Sequence, residues 1–170
     1  MALESKNTCQ CPICKKHVIP KRCTSFRNTC QPKPDCTCQL TGIQAQFIKS
    51  TDRYLGHGES IPFNKVINSH GDAIRYDNAG NFAIKKGNYL VNWNVAVEGC
   101  DSSPVVRFAL IVGGITHSAA TIPITIGMLN GSAFITASED TSVALVNGTN
   151  DIVRLQAVEP MANITIVYVG

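Results

Sequence analysis

Charged residues, aromatic residues and long apolar runs are all scarce in this sequence. Asp, Glu, Lys and Arg make up 16% of the 170 residues, below the roughly one quarter that is usual, and aromatic residues make up 6%. The longest apolar run, residues 108–115, includes two glycines and is far shorter than the roughly 20 residues that a membrane-spanning helix needs. The opening Met1-Ala2-Leu3-Glu4-Ser5-Lys6 contains no apolar stretch, so we expect no signal peptide and no membrane partner.

Cysteine is nearly absent from most of the chain and is concentrated at its start. Seven of the eight cysteines lie between Cys9 and Cys38, and the eighth is Cys100. Residues 1–40 hold too few large apolar side chains to offset a backbone entropy cost of roughly 1 kcal/mol or more per residue. They carry seven Lys or Arg against two acidic residues, whereas the remainder carries eight against ten. We therefore predict a basic, cysteine-rich arm over residues 1–40 and a globular head over residues 41–170.

The cysteines of the arm have three possible roles. The first is disulfide cross-linking, because an odd number leaves at least one arm cysteine to pair with Cys100 or with a neighbouring subunit. The second is zinc binding, because Cys11-Pro-Ile-Cys14-Lys-Lys-His17 resembles a zinc knuckle and the arm holds enough ligands for two four-coordinate sites. The third is a set of reduced thiols without a ligand.

The candidate residues for these roles overlap. The cross-link candidates are Cys9, Cys11, Cys14, Cys23, Cys30, Cys36, Cys38 and Cys100. The alternative zinc ligands are the seven arm cysteines and His17. No cofactor is expected other than zinc in the arm. No aromatic residues alternate with the basic residues of the arm, so we expect no nucleic-acid partner.

The body of the chain shows strand periodicity rather than helix periodicity. In residues 89–97 the odd-numbered positions, from Tyr89 to Val97, are aromatic or β-branched, while Asn92, Asn94 and Ala96 fall on the other face. Residues 152–158 and 163–169 are predicted to form two further strands. Asn130-Gly131 and Asn147-Gly148 are signals of tight turns. Eight or more strands at this spacing predict an all-β sandwich or barrel.

The middle of the body, residues 108–138, contains no Asp, Glu, Lys or Arg. A monomeric sandwich normally carries polar residues on the outer faces of its strands. Seven residues of this region cannot all face one small core: Ala109, Ile111, Ile115, Ile122, Ile124, Ile126 and Leu129. One explanation is a thick core whose surface is covered by Ser and Thr. The other, which we favour, is that a second face is buried in an interface between subunits.

Three segments resemble the tumour necrosis factor-like globular head, which is also the head of the q subunit of the first complement component. They are residues 61–68, 74–84 and 87–93, and they carry Phe63, Tyr76-Asp77, Gly80-Asn81-Phe82 and Gly87-Asn88-Tyr89. Residues 131–135 resemble the small-residue strand of that family. The resemblance implies a jelly-roll β-sandwich of about ten strands that assembles as a homotrimer about an apolar axis.

The predicted core of the head combines the strand pattern with this resemblance. It consists of Phe63, Tyr76, Phe82, Tyr89, Val91, Trp93, Val95, Phe108, Leu110, Phe134, Ile166 and Tyr168.

Within this superfamily, residues 91–97 and 103–113 are most similar to the C-terminal heads of bacterial exosporium collagen-like glycoproteins and to related spore-surface or endospore-appendage subunits. No Gly-X-Y repeat is present, so no collagen triple helix can form, and the arm stands where a stalk would be. The resemblance implies a structural protein of the spore surface, made without a signal peptide. Its expected partners are itself, as a homotrimer that can stack into a fibre, and proteins of the spore coat or exosporium.

The sequence shows no catalytic constellation, and we expect no enzyme. His57, His70 and His117 are predicted to lie in loops without a neighbouring nucleophile motif. Glu139-Asp140 is a two-carboxylate loop that would either bind calcium weakly or form a solvated turn. Asn130, Asn147 and Asn163 match the glycosylation acceptor pattern, although turn chemistry accounts for the first two.

Two alternative functions stay open at this stage. The head could be a trimeric module that recognises a glycan or a host protein through its end loops, with the arm as an anchor. The arm could instead act as a zinc-binding module. Cys100, in the loop of residues 98–104, is either an acceptor for an arm cysteine or an idle thiol.

Overall fold

The computed structural model describes residues 41–48, 51, 53–123 and 126–170. The regular elements of these residues are all β-strands, and the described part of the chain holds no helix that could cross a membrane. The prediction of an all-β fold is therefore confirmed. The arm and its candidate ligands, from Cys9 to Cys38 with His17, lie outside the described residues.

Twelve strands follow one another along the described part of the chain. They are β1 (Gly42–Phe47), β2 (Tyr54–Leu55), β3 (Lys65–His70), β4 (Ile74–Tyr76), β5 (Asn81–Ile84), β6 (Gly87–Cys100), β7 (Val105–Val112), β8 (Ile115–Pro123), β9 (Gly127–Ala137), β10 (Thr141–Asn147), β11 (Val153–Leu155) and β12 (Ala162–Tyr168). They belong to one compact unit, Leu40–Val169.

The strands form two antiparallel sheets with the core between them. The seven-stranded sheet has the order β2-β11-β6-β12-β1-β3, with β9 on the other edge of β6, and the five-stranded sheet has the order β4-β5-β10-β7-β8. Consecutive strands often lie in different sheets, as in a jelly roll.

The predicted strand 89–97 is the middle of β6, and the predicted strand 163–169 is β12 within one residue. The predicted strand 152–158 shortens to β11, because the chain turns tightly after it, with the N–H of Val158 donating to the carbonyl of Gln156 at 2.8 Å.

The core is built from the inward side chains of both sheets. Of the predicted core residues, those that are buried are Phe63, Phe82, Tyr89, Val91, Trp93, Val95, Phe108, Leu110 and Ile166, and those that are partly buried against the core are Tyr76 and Tyr168. Phe134 is the exception and was predicted wrongly, because its side chain points away from the core and is 59% exposed. Its strand neighbour Ile135 takes the inward position.

Four of the residues that carry the family resemblance form one packed cluster: Phe63, Tyr76, Gly80 and Phe82. The ring of Tyr76 stacks on Phe82 with centroids 4.5 Å apart, and Phe63 lies 5.7 Å from Phe82. The Tyr76 hydroxyl accepts the N–H of Gly80 at 3.1 Å. Gly80 has φ of +104°, and a Cβ there would lie 2.4 Å from Ser60 Oγ. Only glycine fits that backbone position without strain.

A second cluster joins the start of β6 to the end of β12. The rings of Tyr89 and Tyr168 meet edge to face with centroids 5.3 Å apart, and the Tyr89 hydroxyl donates to the carbonyl of Lys85 at 2.6 Å. Burial raises the pKa of Tyr89 to about 12, with smaller contributions from Tyr168 and Asp140. Gly87 makes room for this pair, because a Cβ there would lie 2.3 Å from Tyr168 Cε2.

The predicted turn at Asn130-Gly131 does not exist, because both residues lie inside strand β9. Gly131 pairs with Trp93 of β6, and the indole ring lies over the glycine. A Cβ at Gly131 would lie 2.3 Å from Trp93 Cζ2. The glycine is therefore required by packing against the indole and not by turn geometry.

Replacing Gly131 with Ala should destabilise the head by about 3 kcal/mol, because the added methyl group forces the buried indole to move. The free energy of unfolding in urea, followed by the fluorescence of the sole tryptophan, measures this change. The matched control is Gly148→Ala, whose new Cβ would meet only the flexible side chain of Arg107 at 3.4 Å and Ala109 at 3.6 Å. Equal stability of the two variants would contradict this packing role.

Candidate self-association surface

The candidate self-association surface of the head is the solvent-facing side of strands β9, β6, β12 and β1, which we call the outer face. Side chains alternate across a strand, so the neighbours of the buried Val91 and Trp93 on β6 point to this side. They are Leu90, Asn92 and Asn94. The outer face is thus the reverse side of the sheet whose inner side forms the core.

Strand register arranges the outer face in rows that cross the sheet. The first row is apolar and joins Phe134, Leu90 and Val167. The last row lies at the opposite end of the outer face, where Met128 pairs with Ala96. The two rows between them consist of amides and hydroxyls. The first of these is Ser132, Asn92, Thr165 and Gln44, and the second is Asn130, Asn94, Asn163 and Gln46. We call these two polar rows the amide array.

None of the side chains in these rows carries a charge. The three large apolar side chains that border the amide array are nevertheless well exposed: Phe134 by 59%, Met128 by 54% and Leu90 by 41%. Large apolar side chains exposed together on one uncharged face often mark an interaction site. The outer face is therefore uncharged and partly apolar, although it faces water in the single chain.

The charge-free region predicted to form an interface supplies β8, β9 and part of β7. Ala109 and Leu129 are buried, Ile111 and Ile122 are half-buried, and Ile124 lies outside the described residues. Ile115 is the first residue of the edge strand β8 and is 74% exposed. Ile126 directly precedes β9 and is 65% exposed. The sequence argument that these residues cannot all face one core agrees with this distribution.

The asparagines of the outer face are unusual for β-strands. Asn is depleted in strands because its short amide competes for backbone hydrogen bonds. Asn92, Asn94, Asn130 and Asn163 nevertheless converge on a shallow depression of about 420 Å³. Only the amide of Asn163 has a side-chain partner among the described residues, the Nε2 of Gln44 at 3.3 Å. The array therefore presents unused donors and acceptors to whatever covers it.

Cys100 lies at the opposite end of β6 from the arm junction at Thr41. It is a free, half-buried thiol whose Sγ donates to the carbonyl of Ser103 at 3.5 Å. Burial raises the pKa of the Cys100 thiol, and the nearby Asp151 raises it further. A thiol with a raised pKa holds less of the reactive thiolate at neutral pH.

Iodoacetamide should therefore alkylate Cys100 more slowly in the folded, reduced chain than in the same chain unfolded in urea. The rate in the folded chain should rise with pH to a higher midpoint than that of the unfolded chain. Peptide-resolved mass spectrometry separates Cys100 from the arm cysteines. Equal rates in the two states would contradict the protection that we assign to this thiol.

Asp151 fixes the loop that follows Cys100. Its Oδ2 accepts the backbone N–H of Ser102 at 2.7 Å, the Ser102 hydroxyl at 2.9 Å and the N–H of Ser103 at 3.2 Å. The hydrogen bonds from Ser102 lower the pKa of Asp151 to about 2. The carboxylate therefore acts as an acceptor that holds the loop of residues 101–104 closed.

Because the pKa of Asp151 is lower in the folded chain, its stabilising effect is complete above the ordinary value of 3.8 and disappears as pH falls towards about 2. Hydrogen exchange at Ser102 and Ser103 should therefore be unchanged from pH 7 to about pH 4 and, after correction for intrinsic rates, accelerate below that. In Asp151→Asn, exchange at these two residues should be faster already at pH 7. An identical pH profile in the two chains would contradict this role.

Asn147 organises the same end of the sandwich from inside. It is fully buried, and its Nδ2 donates to the carbonyls of Leu55 at 2.8 Å and Asp151 at 2.9 Å. Its Oδ1 accepts the N–H of Thr149 at 2.8 Å. The chain turns here into the other sheet rather than back on itself, so Asn147-Gly148 is not a two-residue hairpin turn. An amide bonded in this way is also not accessible to glycosylation in the folded head.

The other sequence-predicted residues lie apart from the outer face or have local roles. His57 lies in a turn, where its Nδ1 is 2.7 Å from the Thr149 carbonyl, whereas His70 and His117 lie in strands β3 and β8 rather than in loops. Asp140 accepts the N–H of Lys86 at 2.9 Å. Among the described residues no three His, Cys, Asp or Glu side chains are grouped as metal ligands.

Comparison with known proteins gives a result for structure but not for sequence. No family model matches the chain, and no curated protein matches it.

Solved structures do match over most of the head. Murine APRIL at pH 8.5 has 8% identity and a TM-score of 0.57, covering 76% of this chain and 98% of that one. The globular domain of the zebrafish complement 1qA protein has 12% identity and a TM-score of 0.58, covering 77% and 98%. The head has the fold shared by tumour necrosis factor and complement q heads.

A third structure with this fold is pika GITRL, with 12% identity and a TM-score of 0.50, covering 78% of this chain and 97% of that one. The tumour necrosis factor-like jelly roll implied by the sequence resemblance is thus confirmed as the fold of the head. Identities of 8–12% establish the fold alone.

Proposed function

We propose that this chain is a non-enzymatic structural subunit whose head assembles into a homotrimer through the outer face. The observation that carries the proposal is the exposure of Phe134, Met128 and Leu90 on an uncharged sheet face. Burying a large apolar side chain contributes roughly 1.5–3 kcal/mol, and association itself costs roughly 4–15 kcal/mol. Several such side chains must therefore be buried together, as a continuous face allows.

The trimeric state is supported by the fold. Heads of the tumour necrosis factor and complement q type are typically homotrimers, and this head shares their architecture. The charge-free residues 108–138 supply both part of the outer face and the neighbouring edge strand β8. Two adjacent uncharged surfaces on one subunit are suited to a ring in which each copy meets two others.

The arm is proposed to link assembled heads covalently. Its seven cysteines and basic charge remain the features that support this role. The raised pKa of the Cys100 thiol slows its attack on a disulfide, which favours cross-links among arm cysteines of neighbouring subunits over cross-links to Cys100. The zinc-binding arm is the alternative, and it would show as about two bound metals per chain in native mass spectrometry.

The proposed location is the surface of a bacterial endospore, in the exosporium or in an appendage. Support for this part comes from the resemblance of residues 91–97 and 103–113 to heads of exosporium collagen-like glycoproteins. A protein that is made inside the cell and exposed on lysis would need no export signal and would meet oxidising conditions only after assembly. The arm cysteines of such a protein would form disulfides only after the heads have assembled.

The experiment for cross-linking is electrophoresis of the purified full chain with and without reductant, paired with electron microscopy of the unreduced sample. We expect a ladder of cross-linked species that collapses to one chain on reduction, and regular particles or fibres in the micrographs. Single-chain bands in both lanes, with every thiol free, would remove the cross-linking role. Cross-linked species without regular particles would count against a built assembly.

A further inference from the structure

We propose that the end of the head away from the arm junction at Thr41 binds a carboxylated sugar. The site combines a basic cluster, formed by Arg53, Glu98 and Arg154, with an adjoining groove that Tyr54 shares with the cluster. This function is additional to the proposed self-assembly. Each subunit contains the whole site, so the binding does not depend on the number of chains in the particle.

The basic cluster carries an excess of positive charge. One oxygen of Glu98, Oε2, lies 3.3 Å from Nη1 of Arg53 and 3.2 Å from Nε of Arg154. Two guanidinium groups thus share one carboxylate, and two positive charges against one negative charge leave one positive charge in excess. The three side chains are partly accessible, so an anionic ligand can reach them.

The two guanidinium groups are oriented by the chain and still offer donors to a ligand. Nη1 of Arg53 also donates to the carbonyl of Leu155 at 3.4 Å, which fixes this side chain across the end of β11. Arg154 is paired through Nε, and its terminal nitrogens, Nη1 and Nη2, have no partner within the described part of the chain. A guanidinium with free terminal nitrogens can bind a carboxylate through parallel hydrogen bonds.

A groove begins at Tyr54, which pairs with Arg154 across strands β2 and β11. Directly opposed residues of an antiparallel pair point to the same side of the sheet, with Cβ atoms about 4.5–5.5 Å apart. The groove has a volume of about 510 Å³, and its lining includes Phe47, Glu59 and Pro62. Tyr54 is 57% exposed. Its ring is a flat, rigid surface beside the guanidinium groups, on which the apolar face of a sugar ring can pack.

The groove also contains a carboxylate that is held in place. Oε2 of Glu59 accepts the backbone N–H of Gly56 at 2.7 Å, and the backbone N–H of Glu59 donates to the carbonyl of Gly56 at 3.1 Å. The other oxygen, Oε1, has no partner among the described residues and can accept hydrogen bonds from hydroxyl groups. The two ends of the site therefore require different groups of a ligand, a negative charge at Arg154 and neutral donors at Glu59.

A carboxylated sugar meets these requirements, because one small unit carries a carboxylate, an apolar ring face and several hydroxyl donors. A chain of phosphates, as in a nucleic acid, would place negative charge against Glu59. A lysine-rich peptide would place positive charge against Arg53 and Arg154. The site therefore selects a sugar acid over a polyanion or a polycation.

The test is an NMR titration of the isotope-labelled full-length chain, in reductant, with trigalacturonate, a trisaccharide that carries one carboxylate per sugar. We expect saturable shifts at the amides of β2 and β11, which separate this site from any binding to the basic arm. The methyl ester of the same trisaccharide is uncharged and should bind at least about tenfold more weakly. Equal binding of the ester, or an absence of shifts in these two strands, overturns the inference.

Two variants should change the affinity in opposite directions, which damage to the fold cannot do. Arg154→Gln removes the excess charge and should raise the dissociation constant by about tenfold or more. Glu98→Gln adds a second excess positive charge and should lower the dissociation constant by about threefold or more. The matched control, Arg75→Gln on the exposed side of β4, should leave it unchanged. Unchanged binding by Arg154→Gln, or weaker binding by Glu98→Gln, overturns the inference.

Two further measurements test the sugar assignment and its independence from assembly. Tyr54→Ala should raise the dissociation constant by about fivefold, because the ring surface is lost. Triglutamate that binds as tightly as trigalacturonate would overturn the assignment to a sugar. Sedimentation of the same samples reports the number of chains per particle. An intact trimer that does not bind the trisaccharide overturns this inference alone, and a single subunit that binds it overturns only the proposed self-assembly.

Discussion

Replacing Phe134 with Asp is expected to weaken assembly of the head by at least about a hundredfold and to give single subunits at micromolar concentration. Phe134 is the most exposed large apolar residue of the outer face, and a carboxylate there would be buried among Leu90 and Val167 without a counter-charge. In the dissociated chain the change is mild, because the side chain already faces water. Sedimentation velocity of the full chain in reductant measures it.

The matched control for this variant is Ile152→Asp. Ile152 is similarly exposed, by 53%, but it follows Asp151 at the end of the sandwich that carries the Cys100 loop. The same charge change there should leave assembly intact. If both variants dissociate, general charge rather than the outer face controls assembly. If neither does, the outer face is not the interface.

Replacing Asn147 with Ala is expected to destabilise the head by about 4 kcal/mol, a larger loss than most single substitutions produce. The change leaves the carbonyls of Leu55 and Asp151 and the N–H of Thr149 without their partner in a buried site. Each unsatisfied buried group costs about 1–3 kcal/mol, and relaxation recovers part of the total. Urea unfolding followed by Trp93 fluorescence measures the loss.

The exposed Asn150 offers a comparison in the same connection between β10 and β11. Its replacement by Ala removes no buried hydrogen bond and should change the free energy of unfolding by no more than about 0.5 kcal/mol. A loss below 1 kcal/mol for Asn147→Ala would mean that the buried amide does not hold this end of the sandwich together.

The sheet architecture was predictable because alternation is a local property of the chain. In β6 the alternation of Tyr89 to Val97 with asparagines identifies the buried face without knowledge of any partner strand. Phe134 was assigned to the wrong face because β9 has the small Gly131 and Ala133 on its inward side beside the large Phe134 on its outward side. The space that a large inward side chain of β9 would fill is occupied by the indole of Trp93. This side chain comes from β6 and packs over Gly131.

The amide array was not predictable, because it depends on strand register. Asn92 and Asn94 were visible as the polar side of β6, and Asn130 and Asn163 as turn or glycosylation signals. Only the pairing of β9 and β12 with β6 brings all four to one depression. A sequence signal does exist, namely asparagine at alternate positions of central strands, where it is normally depleted.

The Asn-Gly pairs show why the same dipeptide can have different roles. In Asn130-Gly131 the glycine is needed beneath an indole, and in Asn147-Gly148 the asparagine is needed as a buried hydrogen-bonding hub. Both requirements come from residues far away in sequence, Trp93 in one case and Leu55 in the other. Turn propensity, which is local, could not distinguish them.

The mass of the full-length chain in solution, measured by sedimentation equilibrium with reductant at micromolar concentration, tests the central claim most directly. Reductant removes any cross-link through the arm, so only the non-covalent surfaces of the head can hold subunits together. We predict three chains per particle. A particle of one chain at that concentration would contradict the assignment of the outer face as an interface.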